Sequence, residues 1–179
     1  MLKDRLATLE TKDKCRDSFL NYVRYIWDGF IEGEHHRLIA DKMTEVAQGK
    51  CKRLIVNMPP RHTKSEFASV YFPSWMMGLK PDMKIMQTTH TADLSIRFGR
   101  KVRNLMDTQE YKRMFENVSL AADSKSAGRW ETSQGGEYFA AGVGGAITGR
   151  GADLLIIDDP HSEQDALSPG AMEGAYEWY

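Results

Sequence analysis

The 179-residue sequence predicts an α/β fold in which helices flank a mainly parallel central sheet. Short apolar runs rich in β-branched residues alternate with longer segments whose apolar side chains recur at helical spacing, a pattern typical of parallel sheets. Two motifs described below follow the ends of two of these runs, and parallel sheets bind ligands at the carboxyl ends of their strands. The length suits one compact domain with a sizeable core.

The composition favours an ordinary globular protein over a disulfide-rich protein or a stand-alone DNA binder. Apolar residues make up 41% and charged residues 27% of the chain, as in ordinary soluble globular proteins. We see no membrane-spanning run and no signal-peptide pattern, so we expect a cytosolic protein. Cys15 and Cys51 are too few for a disulfide framework or a cysteine metal site. The net charge of -1 argues against a stand-alone DNA binder, but not against a motor subunit that contacts DNA through a small patch.

Two helices and a strand are predicted in the first third of the chain. Residues 13–31 carry apolar side chains at helical spacing, and Gly33 is expected to end that helix. A second helix is predicted over residues 35–48. Residues 53–58 are predicted to form a buried strand, because their apolar run is short and two prolines that cannot continue a strand ladder follow it.

The rest of the chain continues the alternation of helices and strands. The predicted elements are a helix over residues 64–77 that Pro73 kinks, a strand over 83–89, a helix over 92–106 with a basic face, a short helix over 107–115, a loop over 119–128, a hairpin of 130–132 with 137–140, a glycine-rich loop over 142–151, a buried strand over 154–158 and a helix after Ser168. Together they predict a mainly parallel central sheet flanked by helices.

Residues 58–65, MPPRHTKS, are the first motif that bears on chemistry. A phosphate-binding loop needs inward-facing backbone N–H groups, a lysine for the outer phosphates and a hydroxyl for Mg²⁺. Lys64 and Ser65 supply the last two at the start of a predicted helix. Met58 and Thr63 stand where the standard pattern has glycines, which leaves a proline-stiffened turn with a solvated lysine as the alternative. The position between a strand and a helix favours the phosphate loop.

Residues 154–160, LLIIDDP, are the second motif. Four apolar residues followed by two acids form a Walker B pattern, in which Asp158 helps to hold Mg²⁺ and Asp159 orients or deprotonates a water. The alternative is a buried strand that ends in an acidic turn. Because the two motifs occur in the right order, each at the end of a predicted strand, the pair is more specific than either motif alone.

A third motif is the glycine-rich loop over residues 142–151, which contains Arg150. Its glycines allow close approach to a ligand or a neighbouring subunit. An arginine at this place could reach a γ-phosphate across a subunit boundary and stabilise the charge of the transition state. The alternative is a surface arginine on a mobile loop.

The motifs together resemble the ATPase domain of tailed-phage large terminase subunits. The matching letters are PPRHTKSE at residues 59–66 and WETxxGGEYxAxGVGGAITGRGADLLIIDDP at residues 130–160, within a resemblance that runs from Phe30 to Ala166. It implies a P-loop NTPase fold of the RecA-like (ASCE) class, with a sheet that is incomplete at the C-terminus. It also implies a division into an N-terminal helical segment, residues 1–50, and an ATPase core, residues 51–179.

In that family, a ring of subunits hydrolyses ATP to drive double-stranded DNA into an empty procapsid. The resemblance therefore implies ATP and Mg²⁺ as ligands. The implied partners are double-stranded DNA, the portal protein of the procapsid, the small terminase subunit and further copies of the chain in a homo-oligomeric ring, with no membrane. The implied location is the host cytoplasm, with transient docking on the portal and no place in the mature virion.

The resemblance also assigns roles to individual residues. Ser65 and Asp158 would hold Mg²⁺, and Asp159 stands where many relatives have a catalytic glutamate, with Glu163 as a fallback base. Arg150 would be an arginine finger that acts on a neighbouring subunit. The residues implied in ATP binding are Pro60, Arg61, His62, Thr63, Lys64, Ser65 and Glu66, of which Arg61 would touch the phosphates. The segment of His35, His36 and Arg37 would pack near the adenine.

The sequence departs from the family pattern at two positions. Members commonly have glycine where Thr63 stands, and a side chain there strains the loop by roughly 1 kcal/mol or more if its φ is positive. Asp159 is one methylene shorter than glutamate. We also expect the family's nuclease domain to be missing, together with the strand that carries its coupling motif. We therefore expect little or no ATPase activity from this chain alone. The alternatives are a helicase-like nucleic-acid translocase and a degenerate P-loop domain that binds partners without hydrolysing ATP.

Overall fold

The computed structural model describes residues 2–122 and 126–178, with side chains from residue 9 onward. Its helices are α1 (Leu2–Asp17), α2 (Phe19–Ile26), α3 (Glu34–Ala47), α4 (Lys64–Glu66), α5 (Phe72–Leu79), α6 (Ala92–Met106), α7 (Gln109–Met114) and α8 (Pro169–Trp178). A π-helical turn, Phe67–Tyr71, joins α4 to α5, and a 3₁₀ turn covers Asp165–Leu167. The strands are β1 (Lys84–Thr89), β2 (Arg129–Glu131), β3 (Glu137–Gly142) and β4 (Leu154–Ile157).

The strands form one open sheet in the order β2-β3-β1-β4. The central strand, β1, pairs in parallel with both β3 and β4, whereas β2 is antiparallel to β3. The predicted α/β class, the mainly parallel sheet and the hairpin of β2 with β3 are therefore confirmed. Since β1 and β4 run in parallel, their carboxyl ends meet at one edge, where Thr88 is the partner of Ile157.

The predicted strand over residues 53–58 is wrong, because no strand pairing includes these residues. The segment is extended, and alternate side chains pack against the protein: Leu54 and Val56 are half-buried, whereas Ile55 is 85% exposed. It lies near β4, across a cavity of about 150 Å³ that Leu54, Val56 and the residues of β4 help to line. A strand needs a hydrogen-bonded neighbour at about 4.8 Å, and β4 pairs with β1 but not with residues 53–58.

The predicted burial of β4 is correct on one face only. Ile156 is 8% exposed, but Leu155 and Ile157 are 40% and 39% exposed. In the described chain, β4 has a strand neighbour on one side alone, β1. It is therefore an edge strand rather than a strand buried on both faces.

The predicted helix over residues 13–31 is wrong in its limits, because Ser18 divides it. Ser18 has an extended backbone and accepts a hydrogen bond from the N–H of Asn21, which makes it the N-cap of α2. The second helix ends at Ile26, and Gly33 begins α3 instead of ending a helix. The helix predicted over residues 35–48 is confirmed within one residue at each end.

Residues 64–79 form one continuous helical run whose winding changes in the middle. The π-helical turn Phe67–Tyr71 comes just before Pro73, which lies in the first turn of α5. Proline has no N–H to donate to the carbonyl of Ser69, four residues earlier, and a wider turn accommodates that loss. The interruption predicted from Pro73 is thus present as a π-bulge.

The core joins the N-terminal helices to the rest of the chain. Its largest fully buried side chains include Phe19 and Tyr22 of α2 and Trp75 of α5. The Tyr22 hydroxyl lies 2.8 Å from the Ser74 hydroxyl, and the Trp75 indole N–H donates to the Cys15 carbonyl at 2.8 Å. The helical segment predicted over residues 1–50 therefore shares one core with the sheet domain.

The remaining predicted elements are found close to their expected limits, including α6, α7 and α8. The predicted loop over residues 119–128 includes residues 123–125, which lie outside the described residues. None of the described helices has the length and apolar character needed to cross a membrane.

Candidate functional site

The loop over residues 58–65 has a backbone conformation that non-glycine residues rarely adopt. Arg61 and Thr63 have φ angles of 63° and 64°, in the left-handed region that costs an L-residue roughly 1 kcal/mol or more. Thr63 directly precedes Lys64, the first residue of α4. The positive φ that would make a side chain at position 63 strained is therefore present. Left-handed residues within a turn can also direct successive N–H groups into an anion-binding concavity.

Asp158 and Asp159 follow β4 at the carboxyl edge of the sheet. The Asp158 N–H donates to the Thr88 carbonyl at 2.9 Å, which extends the ladder by one residue beyond β4. Asp158 is 4% exposed, whereas the side chain of Asp159 is 64% exposed. Asp159 also has a positive φ, 45°. One carboxylate thus lies inside the protein and the other in an open cleft.

Lys64 joins the two sequence motifs. Its ammonium nitrogen lies 3.3 Å from Asp158 Oδ1 and donates a hydrogen bond to Asp159 Oδ1. Burial by itself would lower the pKa of Lys64, but the bond to Asp159 and the charges of both aspartates outweigh it, and the pKa is raised. The structure therefore places a cationic lysine against two carboxylates that come from a distant part of the chain.

A buried network holds Asp158 from behind. The Ser69 hydroxyl, in the π-helical turn, donates to Asp158 Oδ2 at 2.8 Å. The Gln87 amide, in the middle of β1, donates to the Ser69 hydroxyl at 3.1 Å. Both Ser69 and Gln87 are fully buried. Since one carboxylate oxygen is held by Ser69 and the other faces Lys64, the orientation of Asp158 is fixed from two sides.

The other residues predicted in the phosphate loop line one cleft of about 450 Å³. They include Pro60, Arg61, His62, Thr63, Ser65 and Glu66, together with Lys64 and Asp159. Arg61 and His62 are exposed, whereas Ser65 is half-buried. Glu66 pairs with Lys101 of α6, so its carboxylate already has a cationic partner within the chain.

Arg150 lies at the opposite end of the sheet from this cleft. Its guanidinium is 3.2 Å from Glu137 Oε1 and stacks over the Phe139 ring, 4.0 Å from the ring centroid. It borders a small pocket with Lys84, the first residue of β1. Since a strand rises about 3.3 Å per residue, this end is roughly 15 Å from the carboxyl end. The structure does not bring Arg150 to the site of its own chain.

Of the remaining predicted residues, His36 contacts the loop over residues 58–65, whereas Glu163 does not line the cleft. Glu163 is exposed and does not line the cleft with Lys64. His36 is buried, and its Nε2 lies 2.6 Å from the Thr63 hydroxyl. His35 packs against His36 and near His62, at ring-centroid distances of 3.8 and 5.7 Å. Arg37 instead pairs with Glu32, away from the loop.

The donor atoms at the cleft suit a hard cation that is held together with phosphates. Among the described residues, no three His, Cys, Asp or Glu side chains are arranged to hold a metal on their own. Mg²⁺ differs from most metals in needing only one or two carboxylates, because phosphate oxygens and waters complete its shell. Asp158, Asp159 and the hydroxyl of Ser65 are oxygen donors of this kind.

Sequence reasoning missed the roles of Ser69 and Gln87. Ser69 is a small residue on an apolar helical face, where serine is commonly tolerated, and its sequence context carried no signal. Gln87 did carry one, because it is a polar side chain that directly follows the apolar pair Ile85 and Met86 within a predicted strand. A buried polar group requires a partner, and that requirement could have drawn attention to the neighbouring site.

Comparison with known proteins gives no independent identification, since no protein-family model, curated protein or solved structure matches this chain.

Proposed function

We propose that this chain binds MgATP at the carboxyl end of its sheet and is the ATPase domain of a DNA-packaging motor of the large-terminase type. The observation that carries the proposal is the contact of Lys64 with both Asp158 and Asp159. A lysine at the start of a helix and an acid at the end of a neighbouring parallel strand are the two protein groups that P-loop NTPases use. The proposal therefore extends to a P-loop NTPase fold.

The residues of the cleft divide into phosphate-binding and metal-binding groups. Lys64, with the N–H groups of the loop, would bind the outer phosphates. Ser65 and Asp158 would hold Mg²⁺, for which oxygen donors are the preferred ligands. When bound, Mg²⁺ supplies positive charge that neutralises the phosphate oxygens.

Asp159 is the candidate for the group that handles the attacking water. Its side chain is exposed to the cleft, and its carbonyl accepts a hydrogen bond from the His90 N–H at 3.1 Å. Hydrolysis adds water to the γ-phosphorus and breaks its bond to the bridging oxygen, so a proton leaves the water. A carboxylate at the cleft can orient that water and accept the proton once Lys64 has turned from it to the phosphates.

The assignment to a packaging motor rests on the resemblance to large terminases. Residues 59–66 and 130–160 carry it, and both segments contribute to the cleft or lead directly into it. Arg150 lies far from the site of its own chain, which is compatible with a role towards a neighbouring copy in a ring. Double-stranded DNA, a portal and a small terminase subunit are proposed as partners on the same grounds.

Calorimetric titration of MgATP into the chain, with matched lysine variants, tests the proposal. The Lys64→Ala change should weaken MgATP affinity on the order of 100-fold, because charged hydrogen bonds to phosphate contribute about 2–3 kcal/mol. Lys112→Ala is the control, since Lys112 is a lysine that pairs with a carboxylate, Asp107, away from the cleft. It should leave the affinity unchanged.

Two outcomes would change the assignment. Equal MgATP affinity for the wild-type chain and the Lys64→Ala variant would overturn the phosphate-loop role of residues 58–65. Tight MgATP binding without turnover, even with DNA and procapsids present, would favour a domain that binds nucleotide but does not hydrolyse it.

A further inference from the structure

Thr63 has a strained backbone, and its side chain is held in place by two hydrogen bonds. Its φ of 64° lies in the left-handed region, which is especially unfavourable for a β-branched residue. Its hydroxyl lies 2.6 Å from His36 Nε2 and 2.6 Å from the His62 carbonyl oxygen. A conformation of this kind persists only when surrounding contacts enforce it.

The hydrogen bonds determine which way each donor points. The Gly33 N–H donates to His36 Nδ1 at 2.9 Å, so that nitrogen is an acceptor and the ring proton lies on Nε2. His36 therefore donates to the Thr63 hydroxyl, and Thr63 donates to the His62 carbonyl. We call this series, from Gly33 through His36 and Thr63 to His62, the loop relay.

The ring of His36 is itself fixed by packing. It is 5% exposed, stacks on Phe67 at 5.0 Å and meets the edge of Phe30 at 4.9 Å. Phe67 belongs to the same helical run as Lys64. The loop relay thus connects the first turn of α3 to the residue that precedes Lys64, through a ring with little freedom to move.

We infer that His36 is a positioning residue for the phosphate loop. His36 holds Thr63 in its left-handed conformation and so places Lys64 for triphosphate binding. The effect on nucleotide rests on the proposed function. The mechanism itself rests only on the loop relay. Glycine at position 63 would adopt the same φ without strain, so the need for His36 is specific to a chain with threonine there.

A double-mutant cycle between positions 36 and 63 tests this inference. His36→Phe keeps an aromatic ring between Phe30 and Phe67 but removes both nitrogens, and His36→Gln keeps an N–H donor. With Thr63 present, His36→Phe should lower MgATP affinity about tenfold, which corresponds to the loss of one hydrogen bond. Without that bond, Thr63 would leave its strained conformation and Lys64 would no longer be placed for phosphate binding. In the Thr63→Gly background the same change should alter affinity less than about twofold.

Two further variants keep the test decisive if His36→Phe folds poorly. Thr63→Val keeps the β-branched shape but replaces the hydroxyl by a methyl group, which removes its bonds to His36 and His62. It should lower MgATP affinity at least as much as His36→Phe, whereas Thr63→Ser should retain most of it. His36→Gln should lie between the wild type and His36→Phe. Equal losses from His36→Phe in the wild-type and Thr63→Gly backgrounds would overturn the inference, since His36 would then act without Thr63.

Thermal denaturation of the same variants separates this inference from the proposed function. If the wild-type chain fails to bind MgATP, the proposed function fails. The loop relay still predicts that His36→Phe lowers the melting temperature more in the wild-type chain than in the Thr63→Gly background. Identical shifts in both backgrounds would show that the two residues are not coupled.

Discussion

The two ends of the parallel sheet carry the same kinds of charged residue but hold them in different ways. At the carboxyl end, Asp158 is 4% exposed and faces Lys64 on one side and Ser69 on the other. At the amino end, Arg150 pairs with Glu137, and both side chains are more accessible. Ion pairs therefore occur at both ends, but a buried and fixed carboxylate occurs at the carboxyl end.

Backbone strain also distinguishes the carboxyl end of the sheet from the amino end. The non-glycine residues with positive φ in the described chain are Arg61, Thr63 and Asp159, and all three line the cleft at the carboxyl end. Strained residues of this kind collect at functional sites, where surrounding structure maintains them. Burial and strain together, rather than charge, distinguish the candidate site from an ordinary charged surface.

The largest expected effect comes from matched Asp→Asn changes at the two ends. Asp158→Asn should weaken MgATP binding on the order of 100-fold, because it removes a charge at the centre of the proposed metal site. Asp153→Asn makes the same chemical change at the amino end, where Asp153 accepts a bond from the Lys84 N–H at 2.8 Å, and should leave affinity unchanged. Calorimetry on both variants provides the comparison, and equal effects would remove the distinction between the two ends.

The next effect concerns the network behind Asp158. Ser69→Ala should lower the free energy of unfolding by about 2 kcal/mol, since a hydrogen bond to a buried charge is lost and the Gln87 amide loses its acceptor. Urea denaturation measures it, with Ser119→Ala as control because Ser119 makes an exposed contact with the Ser133 hydroxyl at 2.8 Å. A change below about 0.5 kcal/mol in Ser69→Ala, as expected for a surface position, would contradict the role given to the network.

A smaller effect should appear as a dependence on pH. The pKa of His36 is lowered from 6.5, first by burial and then by the nearby rings of His35 and His62, while Glu32 opposes the shift. Hydrogen bonds from Arg24 and Arg37 lower the pKa of Glu32 to about 2, so Glu32 stays ionised while His36 titrates. The unfolded chain therefore binds more protons than the folded one just below pH 6.5.

It follows that the contribution of His36 to stability is complete above pH 6.5 and declines as the pH falls towards the lowered pKa of the folded state. Measurements of the free energy of unfolding at pH 7.5, 6.5 and 5.5 detect the decline below the ordinary histidine pKa. His36→Phe is the control, because it should remove that part of the pH dependence. An unchanged dependence in the variant would assign it to another histidine.

The smallest effect is expected from Arg150→Ala. Its contacts are a partly exposed ion pair with Glu137 and a cation–π contact with Phe139, which together contribute about 0.5–1 kcal/mol. Binding of MgATP by the single chain should change less than twofold. A large loss of affinity would place Arg150 at the site of its own chain and would contradict the distance between the two ends of the sheet.

The sequence was a good guide to the elements whose signals are local. The apolar runs of β1 and β4, the glycines between β2 and β3 and the helical spacing of α3 and α6 predicted those elements near their observed limits. The segment over residues 53–58 has the same local signal but lacks a hydrogen-bonding neighbour, which a single-chain pattern does not reveal. Ser18 did carry a capping signal that was outweighed by the continuous apolar periodicity across it.

The site was predictable in outline but not in its supporting contacts. The order of the two motifs, each at the end of a predicted strand, was enough to predict that Lys64 and the aspartates lie close together, although β4 is the one of those two strands that the structure contains. The contact of Ser69 with Asp158 depends on a π-helical turn, and the contact of His36 with Thr63 depends on how α3 packs against the loop. Both are long-range consequences of packing that no local pattern encodes.

The most direct test of the central claim is a crystal structure of the chain with a non-hydrolysable ATP analogue and Mg²⁺. We predict a triphosphate in the cleft of residues 58–65, Lys64 turned from Asp159 onto the phosphates, and Mg²⁺ bound at about 2.1 Å by the Ser65 hydroxyl, with Asp158 in its shell directly or through water. A nucleotide bound elsewhere, with Lys64 still paired to both aspartates, would contradict it.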